Sequence, residues 1–177
     1  MAWTAPRTWT DGELVTAAIM NPHIRDNQLA EGPHLIVRKT SDQSVTSSTV
    51  LISDTALLFP VGTTEVWKFQ LHLRYTAATA GDFKVSFQIP ASGRVDAVVP
   101  GHNSSDAPEM GYLAVTTSDT PTVTLSGATE IRTAIMDGTY IGGGTAGNVT
   151  LRWAQGTSSG TATTVLTHST LWAVKLA

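Results

Sequence analysis

The chain has 177 residues, of which 41% are hydrophobic and only 14% are charged, so it is long enough for one domain with a core and an appendage. Its net charge of −3 and its pI of about 5.9 argue against non-specific nucleic-acid binding, which needs a basic surface. The absence of cysteine excludes disulfides, thiolate catalysis and cysteine–zinc sites.

No run of about 18 apolar residues occurs, so we expect no membrane-spanning helix and no membrane partner. Residues 1–7 have no apolar stretch behind a basic start, so we expect no secretory signal and folding in a cytosol.

Residues 1–33 differ from the rest of the chain because they carry the clearest helical pattern. Thr10 and Glu13 have the spacing of a capping box, which favours a helix start, and Thr16 is a second possible cap just before residues 17–20. Pro22 either kinks one helix or is the first residue of a second helix capped by Asn21, and we favour the second interpretation. We therefore predict that residues 1–33 form an N-terminal docking arm with a short helix.

This arm carries more apolar side chains than one short helix can hide. An exposed tryptophan is costly unless a partner covers it, and tryptophan often dominates interface energetics. We expect the arm to bury these side chains against another chain; the alternative is that its two tryptophans fold back on their own domain. The predicted interface residues are Trp3, Trp9, Leu14, Ile19, Met20 and Ile24.

From residue 34 onward the hydrophobic period changes to two, which is typical of strands with one buried face. Residues 65–75 and 83–89 alternate most clearly, and the link between them is rich in turn formers, so we predict that they pair as a β-hairpin. Weaker strand patterns follow at 35–40, 49–52, 56–60, 94–99, 110–117, 121–126, 129–136, 148–155 and 164–176. Many short strands favour an all-β, antiparallel sandwich or barrel over residues 34–177. The expected core includes Trp67, Phe69, Leu71, Leu73, Phe83, Val85, Phe87 and Trp153.

The pattern of polar residues does not indicate an enzyme. No nucleophile elbow is present, and most acidic residues lie beside predicted turns, where aspartate bonds the local backbone. Asp137-Gly138 and residues 142–144 are predicted as turns or a mobile loop. We expect no catalytic residue, no cofactor and no metal site.

One loop, residues 101–109, brings His102, Asp106 and Glu109 close in sequence. These side chains make it a candidate ligand loop for a cation or a sugar, with a plain surface loop as the favoured alternative. Loops on a rigid scaffold are where binding residues concentrate, and residues 137–147 are a second candidate contact loop.

Three stretches resemble bacteriophage virion structural proteins of the minor tail or capsid decoration type. They are residues 8–18 with 21 and 24–27, which are similar to the opening pattern TW…GE.VTA…N.H.RDN; residues 38–40, 44–49 and 54–61; and residues 151–155 with 171–176. The resemblance implies a jelly-roll sandwich that forms a homotrimer, located on the virion, attached to major capsid or tail proteins and without catalysis. The alternative is a host-surface receptor- or carbohydrate-binding module of a tail fibre.

Overall fold

The computed structural model describes residues 5, 7–25, 34–102, 108–116 and 120–176. The chain divides into two compact units, Met1–His34 and Leu35–Ala177. The first contains the short helical region and the second contains the strands, so each is considered by itself.

The helix of the first unit is α1 (Ala17–Met20), and it continues into a π-helical turn over Asn21–Arg25. The predicted second helix capped by Asn21 is wrong, because Asn21 itself is helical, with φ −57° and ψ −53°. Proline lacks an N–H group and its ring crowds the preceding turn. A wider π turn at Pro22 lets the chain continue without a new start.

The predicted capping box at Thr10 is also wrong. The Glu13 N–H donates to the Thr10 carbonyl over 3.1 Å, and Gly12 has a φ of +79°. That left-handed conformation suits glycine and produces a tight turn instead of a helix. The helix begins later, with Thr16 as the extended residue before α1.

The described residues from 34 onward form twelve strands. They are β1 (His34–Arg38), β2 (Gln43–Val45), β3 (Ile52–Val61), β4 (Val66–Thr76), β5 (Phe83–Gln88), β6 (Arg94–His102), β7 (Pro108–Thr116), β8 (Val123–Leu125), β9 (Arg132–Ile141), β10 (Gly147–Gln155), β11 (Thr163–Val165) and β12 (Thr170–Lys175). The predicted all-β sandwich is confirmed.

The strands form two sheets that face each other. Sheet one has the order β1-β12-β4-β9-β6-β7, with β2 and β11 paired beside it, and sheet two has the order β3-β10-β5-β8. We compare this order with the eight strands of a jelly roll by counting β1 and β2 as one strand and β11 and β12 as another. The β6–β7 hairpin is left out as an insertion, and the eight remaining strands are numbered in chain order. Their order is 1-8-3-6 in sheet one and 2-7-4-5 in sheet two. This interleaving is that of a jelly roll.

The predicted hairpin between β4 and β5 is wrong, because the two strands lie in different sheets. β4 pairs with β9, β11 and β12, whereas β5 pairs with β8 and β10. The two strands meet through their side chains, with the rings of Phe69 and Phe87 in an edge contact at 5.3 Å. Alternation with a period of two shows which face of a strand is buried, but it does not show which other strand is the hydrogen-bonded neighbour.

The core lies between the two sheets, and all eight predicted core side chains are buried in it. Aromatic rings fill its middle: Phe59 contacts Trp67 and Phe69, and Phe83 stacks on Tyr75 with ring centroids 4.4 Å apart. Such contacts add to the burial of apolar area.

Asp137 and Gly138 do not form the predicted turn, because both lie inside β9. Gly138 faces Phe69 across the β4–β9 pair, and the Phe69 ring occupies the space that a Cβ at position 138 would need. Position 138 therefore needs glycine so that the Phe69 ring can pack against the strand. Residues 142–144 do lie in a connection, between β9 and β10.

Candidate interaction surfaces

The described part of the arm exposes most of its large apolar side chains. Leu14 is 80% exposed and Trp9 is 44% exposed. The Arg7 guanidinium lies over the Trp9 ring, 5.4 Å from its centroid, and also pairs with Glu13. A cation on the ring face orients the tryptophan without burying it.

The helical segment of the arm continues this apolar surface. Met20 and Ile24 are exposed and Ile19 is half-buried, while α1 itself contains no buried residue. Trp3, the remaining predicted interface residue, lies outside the described residues. Five of the six predicted interface side chains thus lack full burial within their own chain.

The candidate ligand loop is the tip of the β6–β7 hairpin. Backbone pairing joins His102 to Pro108 and Gly101 to Glu109, which places the two strand ends side by side. Asp106 lies outside the described residues. Within the described ranges, no group of three or more histidine, aspartate or glutamate side chains is arranged to hold a metal ion.

A buried ion pair was not predicted from the sequence. Lys39, just after β1, and Asp54, in β3, have fully buried side chains, and the Lys39 Nζ donates to both Asp54 oxygens at 2.9 and 3.0 Å. Asp54 also accepts the N–H groups of Ala56 and Leu57, and the indole N–H of Trp153. A buried charge is tolerated when it is paired and its remaining hydrogen bonds are made.

Both Lys39 and Asp54 lie in the second of the three stretches described above, residues 38–40, 44–49 and 54–61. Gln43 completes the network, since its amide oxygen accepts from the Lys39 Nζ over 3.2 Å and from the Thr55 N–H over 3.0 Å. The network connects β2 and the residue that follows β1, both in the first part of sheet one, with β3 and β10 of sheet two. Its oxygens are occupied by fixed donors, so we assign it a structural role.

A second carboxylate, Glu65, is fixed by three donors where β4 begins. It accepts from the Lys175 ammonium over 2.8 Å, from the Gly62 N–H and from the Trp67 indole over 2.9 Å. The hydrogen bond from Lys175 is the largest cause, and together these donors lower the pKa of Glu65 to about 2. Donors to the ionised form favour that form.

We expect Glu65→Gln to destabilise the protein by about 1.5–3 kcal/mol at pH 7, the range for hydrogen bonds to charged groups. The Glu65 pKa is lower in the folded chain than in the unfolded chain, so its contribution is full above about pH 4.5. The contribution falls as the pH drops through the folded pKa of about 2. Urea titrations of wild type and variant should therefore converge near pH 2. Glu130→Gln, at an exposed position, is the control and should change the unfolding free energy at pH 7 by less than about 0.5 kcal/mol.

The outer faces of the two sheets differ in character. The outer face of sheet two carries mainly polar side chains and is partly covered by its own chain: Lys84 donates to the Thr49 carbonyl over 2.7 Å, and Arg152 donates to the Leu51 carbonyl over 2.9 Å. The outer face of sheet one instead carries large exposed apolar side chains: Ile36, Met110, Tyr112, Ile135, Ile141 and Trp172.

No family model and no curated protein matches this sequence. Solved structures with weak similarity include that of infectious bursal disease virus Gt strain (12% identity, 80% of this chain and 35% of that chain, TM-score 0.21). They also include the VP2 subviral particle of infectious bursal disease virus (10%, 81% and 40%, 0.21) and its T13 viral particle (10%, 83% and 40%, 0.23). This chain thus spans less than half the length of those viral chains, and at such TM-scores the similarity carries no argument.

Among the described residues, no helix is long and apolar enough to cross a membrane.

Proposed function

We propose that this protein is a non-enzymatic structural component of a bacteriophage particle. It is a trimeric surface knob attached to the capsid or tail through its N-terminal arm, as a capsid decoration protein or a short tail appendage. The observation that carries the proposal is the apolar surface of the arm, where Trp9, Leu14, Met20 and Ile24 stay exposed.

The sandwich supports this proposal because its core is supplied from within residues 35–173. The described residues of the core cluster, and those packed against it, all fall in that range. The arm is therefore available to bind elsewhere. Burying its apolar side chains on a partner contributes roughly 25 cal/mol per Å² of area removed from water, and Trp9 and Leu14 supply much of that area.

The sequence supports the phage assignment through the three stretches described above. The first stretch spans Trp9 and Leu14, so the segment that resembles phage virion proteins is also the segment with exposed apolar side chains. The second stretch includes Lys39 and Asp54, whose buried pair joins the two sheets. Its similarity therefore reflects the fold, while that of the first stretch points to attachment.

Deleting residues 1–31 is expected to leave the sandwich folded and to abolish its attachment to particles. The measurement compares full-length and truncated protein for incorporation into purified particles of the encoding phage, by mass spectrometry and immunogold labelling. Thermal unfolding of the truncated protein is the control for folding.

Incorporation of the truncated protein at the full-length level would show that the arm is not the anchor. Failure of the truncated protein to fold would show that the arm belongs to the core. A finer test replaces Leu14 and Ile24 with serine in the full chain, which should reduce incorporation without changing the unfolding temperature of the sandwich.

A further inference from the structure

We propose that residues 7–14, which we call the docking turn, are folded before the arm meets its partner, and that this preformed shape presents Trp9 and Leu14 to the particle. The inference rests on the proposed attachment through the arm and names the part of the arm that makes the contact. The docking turn lies wholly within the first compact unit. Its partner is a protein surface of the particle with an apolar pocket.

The centre of the docking turn is a β-turn over residues 10–13. The Glu13 N–H donates to the Thr10 carbonyl over 3.1 Å, and Gly12 is the third of the four residues, with a φ of +79°. A type II turn requires a φ of about +80° at its third residue, which glycine or asparagine adopts. The sequence therefore has glycine at the position where the backbone of this turn needs it.

An ion pair joins the two ends of the segment. The Arg7 guanidinium pairs with the Glu13 carboxylate, and it also lies over the Trp9 ring, 5.4 Å from the ring centroid. Contacts of these two kinds are individually weak at a protein surface. One arginine makes both of them, and the hydrogen bond of the β-turn holds Glu13 in place, so each contact supports the other two.

These contacts order the docking turn without burying its apolar side chains. Trp9 is 44% exposed, Leu14 is 80% exposed, and the next residue, Val15, is 55% exposed. A segment that is ordered before binding loses less entropy when it associates than a flexible segment with the same side chains. The arm is therefore built to display these side chains in one fixed arrangement.

The chemistry of the docking turn selects an apolar partner surface. Its one basic group, Arg7, is already paired with Glu13 and with the Trp9 ring, so it is not available to recognise an acidic partner. A tryptophan that enters a desolvated pocket is a common centre of protein interfaces. We therefore assign to the partner an apolar pocket that takes the exposed part of the Trp9 side chain.

Gly12 offers a test of the backbone shape alone. Apart from its chain neighbours, no atom lies within 4 Å of the place that a Cβ at position 12 would take, so alanine meets no clash there. Alanine is strained at a positive φ, whereas asparagine tolerates it. In the full chain, Gly12→Ala should weaken binding to phage particles that lack this protein about 5- to 30-fold, and Gly12→Asn should bind within about threefold of wild type.

Nuclear magnetic resonance of the free protein reports the shape directly. Protons above the face of an indole ring are shifted upfield, so the Arg7 side chain should show this shift in wild type and in Gly12→Asn and lose it in Gly12→Ala. Wild-type binding by Gly12→Ala would overturn the preformed turn. Equal losses in Gly12→Ala and Gly12→Asn would also overturn it, because any side chain at position 12 would then obstruct the contact.

Two further variants separate this inference from the proposed function. Trp9→Ala should weaken binding at least as much as Gly12→Ala, while Val50→Ala, at a 70% exposed position outside the arm, should bind like wild type. Wild-type binding by Trp9→Ala would overturn the assigned pocket. If deleting residues 1–31 abolishes binding while Gly12→Ala binds normally, the preformed turn is wrong and attachment through the arm stands. Binding that survives the deletion would overturn both.

Discussion

Replacing Asp54 with alanine is expected to destabilise the protein by about 3–5 kcal/mol, the usual cost of removing one partner from a buried ion pair. Lys39 would remain with its ammonium group fully buried and opposite no carboxylate. The N–H groups of Ala56 and Leu57 would lose their acceptor as well. Urea unfolding followed by tryptophan fluorescence measures the loss.

Two further variants test whether burial of the Lys39–Asp54 ion pair is the cause of the expected loss of stability. Asp96→Ala removes the exposed pair with Arg94, whose side chains are about half exposed, and should cost less than about 1 kcal/mol. The double variant Lys39→Met with Asp54→Leu removes both charges and should recover the part of the loss that comes from the unpaired Lys39 ammonium, while the N–H groups of Ala56 and Leu57 still lack their acceptor. Equal losses for Asp54→Ala and Asp96→Ala would contradict the account of the buried network.

The sequence predicted which residues are buried much better than it predicted which strands are neighbours. Alternation in β4 and β5 identified the inward faces correctly, since Phe69 and Phe87 are both buried. Pairing depends on hydrogen bonds between residues far apart in sequence, such as Leu151 with Phe87. Local patterns contain no information about such partners, which is why a hairpin was expected where two sheets face each other.

Other predictions were wrong or incomplete where a residue contacts another residue that is far away in the sequence. Gly138 follows an aspartate, a pattern that predicts a turn. The structure instead places it inside β9, where the Phe69 ring leaves no room for a Cβ. Asp54 was expected to bond its local backbone, which it does, but its partner Lys39 lies fifteen residues away. The break between β11 and β12 interrupts one predicted strand at His168, whose φ is +66°.

The candidate surfaces were predictable to different degrees. An excess of apolar residues in a segment with little regular structure indicated the arm, and Trp9 and Leu14 are indeed exposed. The apolar face of sheet one could not be predicted. Trp172 lies within the predicted strand 164–176, and only the pairing of β12, β4, β9, β6 and β7 shows that it shares a row with Tyr112.

Replacing Phe87 with alanine is expected to cost about 3–5 kcal/mol of unfolding free energy, the range for emptying a large aromatic site. Phe87 is 1% exposed, and its ring meets the edge of Phe69 from the opposite sheet. Its removal leaves a cavity between two sheets that are held apart by Phe69 and Phe83, so the site cannot collapse fully. Chemical denaturation of the full chain measures the effect.

The neighbouring position supplies the matched control for Phe87. Gln88 is the next residue of β5 and points outward, where its side chain accepts a hydrogen bond from Ser53 over 3.0 Å. Gln88→Ala should cost less than about 1 kcal/mol, because its groups are exposed to water. Phe87→Leu should fall between the two, since leucine keeps most of the buried volume. A loss below about 1 kcal/mol for Phe87→Ala would mean that β5 turns its other face to the core, and that sheet two does not close over sheet one as described.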